Sequence, residues 1–149
     1  MKAVIQRVSQ ASVSIDGALH ASIQLGYVVL LGIHESDTPE DAQWLCQKVA
    51  NLRIFSDKEG KMNLNISDVK GEVLLISQFT LYSLTKKGNR PSFIEAARPE
   101  KAIPLYRLFE KELREKGIGT QTGIFGADMK VNLVNDGPVT IVIDTLEKA

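Results

Sequence analysis

The sequence lacks a surplus of charge of either sign: Lys plus Arg and Asp plus Glu number 18 each in 149 residues. The protein as a whole therefore offers a polyanion no net attraction. Tight binding along a nucleic-acid backbone is not expected on that ground, because each neutralised phosphate needs a nearby cation, and any RNA would have to be gripped locally, as at an RNA end. Cysteine is almost absent. The single Cys46 cannot build a disulfide framework and fits a reducing, cytoplasmic setting. Histidine is scarce as well, and His20 and His34 stand in no H-x-x-x-H or Cys/His spacing, so neither a metal site nor a cofactor is expected. A G-x-S-x-G elbow and a glycine-rich phosphate loop are missing too, which leaves open only a Ser-His-Asp triad assembled in space. Long apolar runs do not occur. Tyr27 to Leu31 is far too short to span a bilayer, and Met1 to Ile15 alternates where a signal peptide would be continuously apolar, so no membrane partner is expected.

What is present reads as one domain over residues 1–149, with no repeat, low-complexity tract or linker; 44% of its residues are hydrophobic. Ala3 to Val8 and Ser12 to Ile15 alternate as strands, and Asp16-Gly17 before Leu19 to Ile23 predicts a hairpin whose turn wants positive φ. Gly26 to Ile33 is uniformly apolar, the pattern of a strand buried on both faces. Thr38-Pro39-Glu40-Asp41 supplies an N-cap, a proline at the first helical position and acidic residues for the first turn. In the helix that follows, Ala42, Leu45, Cys46, Val49 and Leu52 share one face, making Cys46 a core residue. Leu52 to Phe55 and Glu72 to Phe79 read as strands. A second helix starts at Pro99, buries Ala102, Tyr106, Phe109 and Leu113, is expected to bend at Pro104, and ends at Gly117. Val131 to Val134 and Val139 to Asp144 complete the strands. The fold class is α+β, a curved, mostly antiparallel sheet or barrel flanked by two helices.

Two segments put polar residues or special backbone at the end of an apolar strand. In Ser77-Gln78-Phe79-Thr80-Leu81, continuation of the strand would send Gln78 and Thr80 to one side and Ser77 and Phe79 to the other. Asn135-Asp136-Gly137-Pro138-Val139-Thr140 reads as a turn joining two strands, since each of its first four residues favours turns for its own steric reason. Two loops add to these. Lys86, Lys87 and Arg90 give local positive charge suited to phosphates of an RNA end, and glycines at 123 and 126 bracket Phe125, whose ring can approach a base or cover the core edge.

Together these segments resemble the bacterial and eukaryotic D-aminoacyl-tRNA deacylase family. The resemblance runs from Met1-Lys2-Ala3-Val4-Ile5-Gln6-Arg7-Val8 through Ser77 to Leu81, Arg90 to Phe93, Thr120 to Gly123 and Ala127-Asp128-Met129 to Asn135 through Thr140. It implies catalysis at Gln78, Phe79 and Thr80 and substrate binding by Ser77, Phe125, Met129, Asn135, Gly137 and Pro138. It also implies a homodimer with active sites at the subunit interface, where the Gly137-Pro138 pair, joined by a cis peptide, enters the partner's pocket and leaves no room for an L side chain. Ser77, Phe79 and Asn135-Asp136 set the chain apart from a related animal family of relaxed chirality.

The implied substrate is the 3′ end of an aminoacyl-tRNA carrying a D-amino acid or glycine. Such an ester is already activated, so backbone donors near Phe79 and Thr80 facing the oxyanion, with help from the terminal 2′-hydroxyl, supply chemistry that needs no histidine. Thr80 is a positioning residue on this reading, because nothing near it in sequence activates a nucleophile. The rival readings are a noncatalytic RNA-end binding module and a generic esterase or amidase, and neither explains both signatures as economically.

Overall fold

In the computed structural model, which describes residues 1–148, the opening alternation becomes one long strand, β1 (Lys2–Ile15), where the sequence predicted two. Asp16 and Gly17 turn the chain with φ of 51° and 78° into β2 (Ala18–Ile23), which pairs antiparallel with the second half of β1. β3 (Gly26–Gly32) pairs antiparallel with the first half. Helix α1 (Pro39–Asn51) follows Thr38, whose amide and hydroxyl both donate to the Asp41 carboxylate, at 2.8 and 3.1 Å.

The chain then makes a two-stranded ribbon, β4 (Phe55–Ser56) with β5 (Met62–Leu64). The strand expected over Leu52 to Phe55 is thus confined to its last residue, since Leu52 caps α1 and the next two residues are irregular. β6 (Glu72–Ser77) runs parallel to β3, and helix α2 (Pro99–Glu115) crosses back to β7 (Gly119–Thr122), parallel to β6. The Gly-Thr-Gln-Thr of β7 carries no apolar alternation, so spacing does not predict this strand. Pro104 lies within α2 without interrupting it, its ring exposed. β8 (Met129–Asp144) pairs antiparallel with β1 along almost its whole length. The sheet is therefore mixed, β2-β1-β3-β6-β7 with β8 on the other edge of β1, and the class is α+β with two helices.

Alternation divides the core between the two faces of β3 and β6. Tyr27, Val29, Leu31, Val73 and Leu75 meet the helices, where Leu45, Cys46, Val49, Phe109 and Leu113 are fully buried. Val28, Leu74 and Ile76 face the other way, against Val8, Ala11, Val13 and Ile23 from the far half of β1 and from β2. A strand covered on both sides explains the uninterrupted apolar runs of β3 and β6.

Candidate functional site

β6 stops at Ser77, two residues sooner than its sequence suggested. The Gln78 amide still donates to Leu31 O at 2.8 Å, but Gln78 turns off the sheet (φ −140°, ψ 79°) and Phe79–Leu81 form a single 3-10 turn. Ser77 to Thr80 therefore do not alternate across a sheet as a continued strand would make them. The turn closes through the Leu81 and Tyr82 amides, which donate to Gln78 O and Phe79 O at 3.2 and 3.0 Å. The amides of Phe79 and Thr80 precede the first closing bond and have no partner within the turn. Gln78 Nε2 donates to Thr80 Oγ1. The Phe79 ring is 54% exposed and meets Phe93 edge-on at 5.2 Å.

Phe93 follows the basic loop. That loop is closed by reciprocal Leu84 and Ser92 backbone hydrogen bonds of 2.8 and 2.9 Å, and it leaves Lys86, Lys87 and Arg90 exposed. Two further expected residues gather at the turn that follows β7. Met129 lies over Gly123, where a Cβ would come within 2.4 Å of its Sδ and 3.3 Å of Ile76 Cδ1, so only glycine lets the thioether pack there. Phe125, half-buried, sits edge-on to Tyr106 at 6.0 Å, beside a hollow of about 330 Å³.

Asn135, Gly137 and Pro138 lie elsewhere in the chain. They are not a turn between two strands, as turn chemistry suggested, but an irregularity inside one strand: between the pairs Gln6–Thr140 and Val8–Asn135, β8 carries three more residues than β1. Asn135 closes this bulge through its side chain, which accepts from the Val139 amide and donates to Thr140 Oγ1, both at 3.1 Å. Gly137, with φ 131°, precedes Pro138 through a cis peptide. Asp136, Gly137 and Pro138 are exposed.

Arg7, quoted only within the opening motif, anchors the bulge. It donates to Asp136 O at 3.1 Å and Ile54 O at 2.6 Å, with the Asp136 carboxylate 3.7 Å away. Its signal in the sequence was parity: Arg7 stands on the alternation of Ala3 and Ile5, where a core residue is due and a cation needs partners.

Within one chain the two segments are far apart. Ser77 is level with Leu31 and Leu31 with Ala3, while Asn135 is level with Val8. Three strand spacings of about 4.8 Å, from β6 through β3 and β1 to β8, and five residues of about 3.3 Å along β1 separate them.

The titratable groups set further limits. Burial pushes the Cys46 thiol up to about 12, so it stays protonated against the core. His34 binds Ser36 at 2.8 Å and meets the Tyr82 ring at 5.1 Å. Among the described residues no group of three His, Cys, Asp or Glu side chains is placed to hold a metal, and no helix is long and apolar enough to cross a membrane.

Comparison with known proteins agrees with this picture. The family described as D-Tyr-tRNA(Tyr) deacylase matches residues 4–144. The D-aminoacyl-tRNA deacylase of Flavobacterium psychrophilum is 60% identical over 149 residues, 99% of each chain. That of Thermus aquaticus is 53% identical over 148 residues, which cover 99% of this chain and 97% of its own. A solved structure named c-Myc DNA Unwinding Element Binding Protein superposes with a TM-score of 0.91 at 41% identity, over 97% of this chain and 98% of that one. A probable eukaryotic D-amino acid tRNA deacylase shares the fold, with a TM-score of 0.82 at 15% identity over 95% and 97% of the two chains. Fold and matches define a class, the hydrolases acting on aminoacyl-tRNA. Within it, the chain belongs to the D-Tyr-tRNA(Tyr) deacylase family.

Proposed function

We propose that this chain removes D-amino acids, and glycine, from the 3′ end of tRNA by ester hydrolysis, as a homodimer whose sites each combine Ser77 to Thr80 of one subunit with the Asn135 to Pro138 bulge of the other. The observation that carries the chemistry is the 3-10 turn, which leaves the Phe79 and Thr80 amides unpartnered within it beside an exposed ring. Water attacks the ester carbonyl carbon and its oxygen becomes an oxyanion, to which those amides donate. The C–O3′ bond then breaks, the proton given up by the water reaches O3′, with the neighbouring 2′-hydroxyl as relay, and the free amino acid leaves. Phe125 and Met129 border the terminal adenosine, and the basic loop lies where the preceding phosphates pass.

The separation of the two segments within one chain supports the dimer. A bulge that is exposed, anchored by Arg7 and remote from its own 3-10 turn suits a role in a neighbour's site, where its rigid backbone would crowd an L side chain and admit hydrogen or a D one. A two-fold interface repeats the contact and yields two equivalent sites.

Mixing two impaired variants tests this. Thr80→Ala and Pro138→Ala damage different halves, so random reassociation of equal amounts should restore one intact composite site in each mixed dimer, roughly one quarter of all sites. Recovery towards that level supports the shared site. Mixed dimers that form, as seen by mass, and recover nothing would mean that each subunit uses its own bulge.

A further inference from the structure

Tyr106 lies on the buried face of α2, where it meets Phe125 and the stretch of β6 that leads into the Ser77 to Thr80 segment. Its hydroxyl donates to Leu75 O at 2.8 Å, two residues before Ser77, and the Gly123 amide reaches the same carbonyl at 3.4 Å. Its ring meets Phe125 edge-on at 6.0 Å. Leu75 pairs with Thr122 in the last rung between β6 and β7, after which the two strands diverge into the Ser77 to Thr80 segment and the Gly123 to Phe125 turn. Tyr106 stands at this fork with its side chain 4% exposed.

A residue needed only to fill the core could be leucine here, like Leu105 and Leu113 on the same helix face. The hydroxyl sets it apart. A buried phenol requires a partner, and the carbonyl it takes is the one that the Phe125 turn also uses, so ring and hydroxyl together fix the turn against the end of β6. Phe125 otherwise has glycines at 123 and 126 on either side, which give the turn little stiffness of its own.

We infer that Tyr106 is a positioning residue that holds the Phe125 ring in register with the Ser77 to Thr80 turn, so that the terminal nucleoside and the ester carbonyl are seated together. It acts behind Phe125, without touching substrate. This rests on the proposed reading of Phe125 as a substrate contact.

The experiment measures kcat, KM and melting temperature on a D-aminoacyl-tRNA for Tyr106→Phe, Tyr106→Leu, Phe125→Leu and the double variant Tyr106→Leu/Phe125→Leu. Tyr106→Phe keeps the ring and volume, so it carries the test even where Tyr106→Leu fails to fold. The expected result is a KM raised about threefold in Tyr106→Phe and about tenfold in Tyr106→Leu, the scale of one hydrogen bond and one aromatic pair, with kcat within about twofold. The double variant should be no worse than Phe125→Leu alone, because the two act through one ring.

A purely structural role would lower the melting temperature while leaving KM of the folded protein unchanged. That result in the Tyr106 variants, with KM raised in Phe125→Leu, would overturn the positioning role alone. Multiplying effects in the double variant would also overturn it. Wild-type constants in Phe125→Leu would overturn the Phe125 reading and the role of Tyr106 with it.

Discussion

The Thr80 hydroxyl oxygen accepts a hydrogen bond from the Gln78 side-chain amide, a group that can orient a hydroxyl but cannot take its proton. The O–H is left free to donate, which suits a residue that holds the ester or a water in place and not an attacking alkoxide. Thr80→Ala is therefore expected to lower kcat by about tenfold, the scale of one lost hydrogen bond, whereas deleting an obligatory nucleophile costs on the order of 10⁶. Single-turnover hydrolysis measures this directly, and trapping an acyl group on Thr80 would contradict it. Legibility in the sequence also varied by residue. Cys46 could be placed in the core from spacing alone, because a helical stripe fixes which side chains face inward. Tyr106 was read in the same way, correctly as to burial, but its hydroxyl has a partner 31 positions earlier, which no local pattern encodes.

Among the elements, the helices were the most legible, since Thr38-Pro39 and Gly117 punctuate them and their buried stripes are long. Strand ends were the least legible, for a physical reason seen at Ser77 and again at Asn135. Gln78 turns away although its neighbours favour strand, and Asn-Asp-Gly-Pro remains within a strand although each residue favours a turn. At Asn135 the pairing of β8 with β1 on both sides overrides local preference, and at Ser77 the ladder with β3 ends at the Leu31–Ser77 rung.

The packing of α1 on β3 carries its own consequence. Burial pushes the Cys46 thiol to about 12 and raises the Tyr27 phenol as well; Tyr27 donates to Val49 O at 2.6 Å. Both groups are neutral when protonated and titrate lower once unfolded, near 8.5 and 10. Between those values and the folded ones the native state binds more protons, so stability falls as pH rises. Urea midpoints should be flat between about pH 7 and 8.5 and then decline, with Cys46 contributing about 1.4 kcal/mol per pH unit at most. Cys46→Ala should make the decline shallower. A midpoint as high at pH 10.5 as at pH 7.5 would contradict this packing.

At the scale of the whole molecule, the balanced charge and the site follow one logic. A protein with 18 charges of each sign cannot hold a tRNA along its length by electrostatics. On the proposed reading it holds the tRNA's end, through the exposed ring of Phe79, the half-buried one of Phe125 and the short basic loop. The class of fold was visible in the order and periodicity of segments. The parallel pairing of β6 with β3 and β7 was not, because parallel partners are set by crossovers through helices and not by adjacent sequence. Nor did spacing alone show that the two signatures lie three strands apart and five residues out of level; that separation appears only in the strand registers, and it makes a second subunit necessary on the proposed reading. Chiral ester hydrolysis is tested most directly by release of free tyrosine from D-tyrosyl-tRNA and from L-tyrosyl-tRNA by the purified protein under identical conditions. Rapid release from the D ester with the L ester left at its spontaneous rate is the predicted result. Equal release from both, or tRNA binding without release from either, would contradict it.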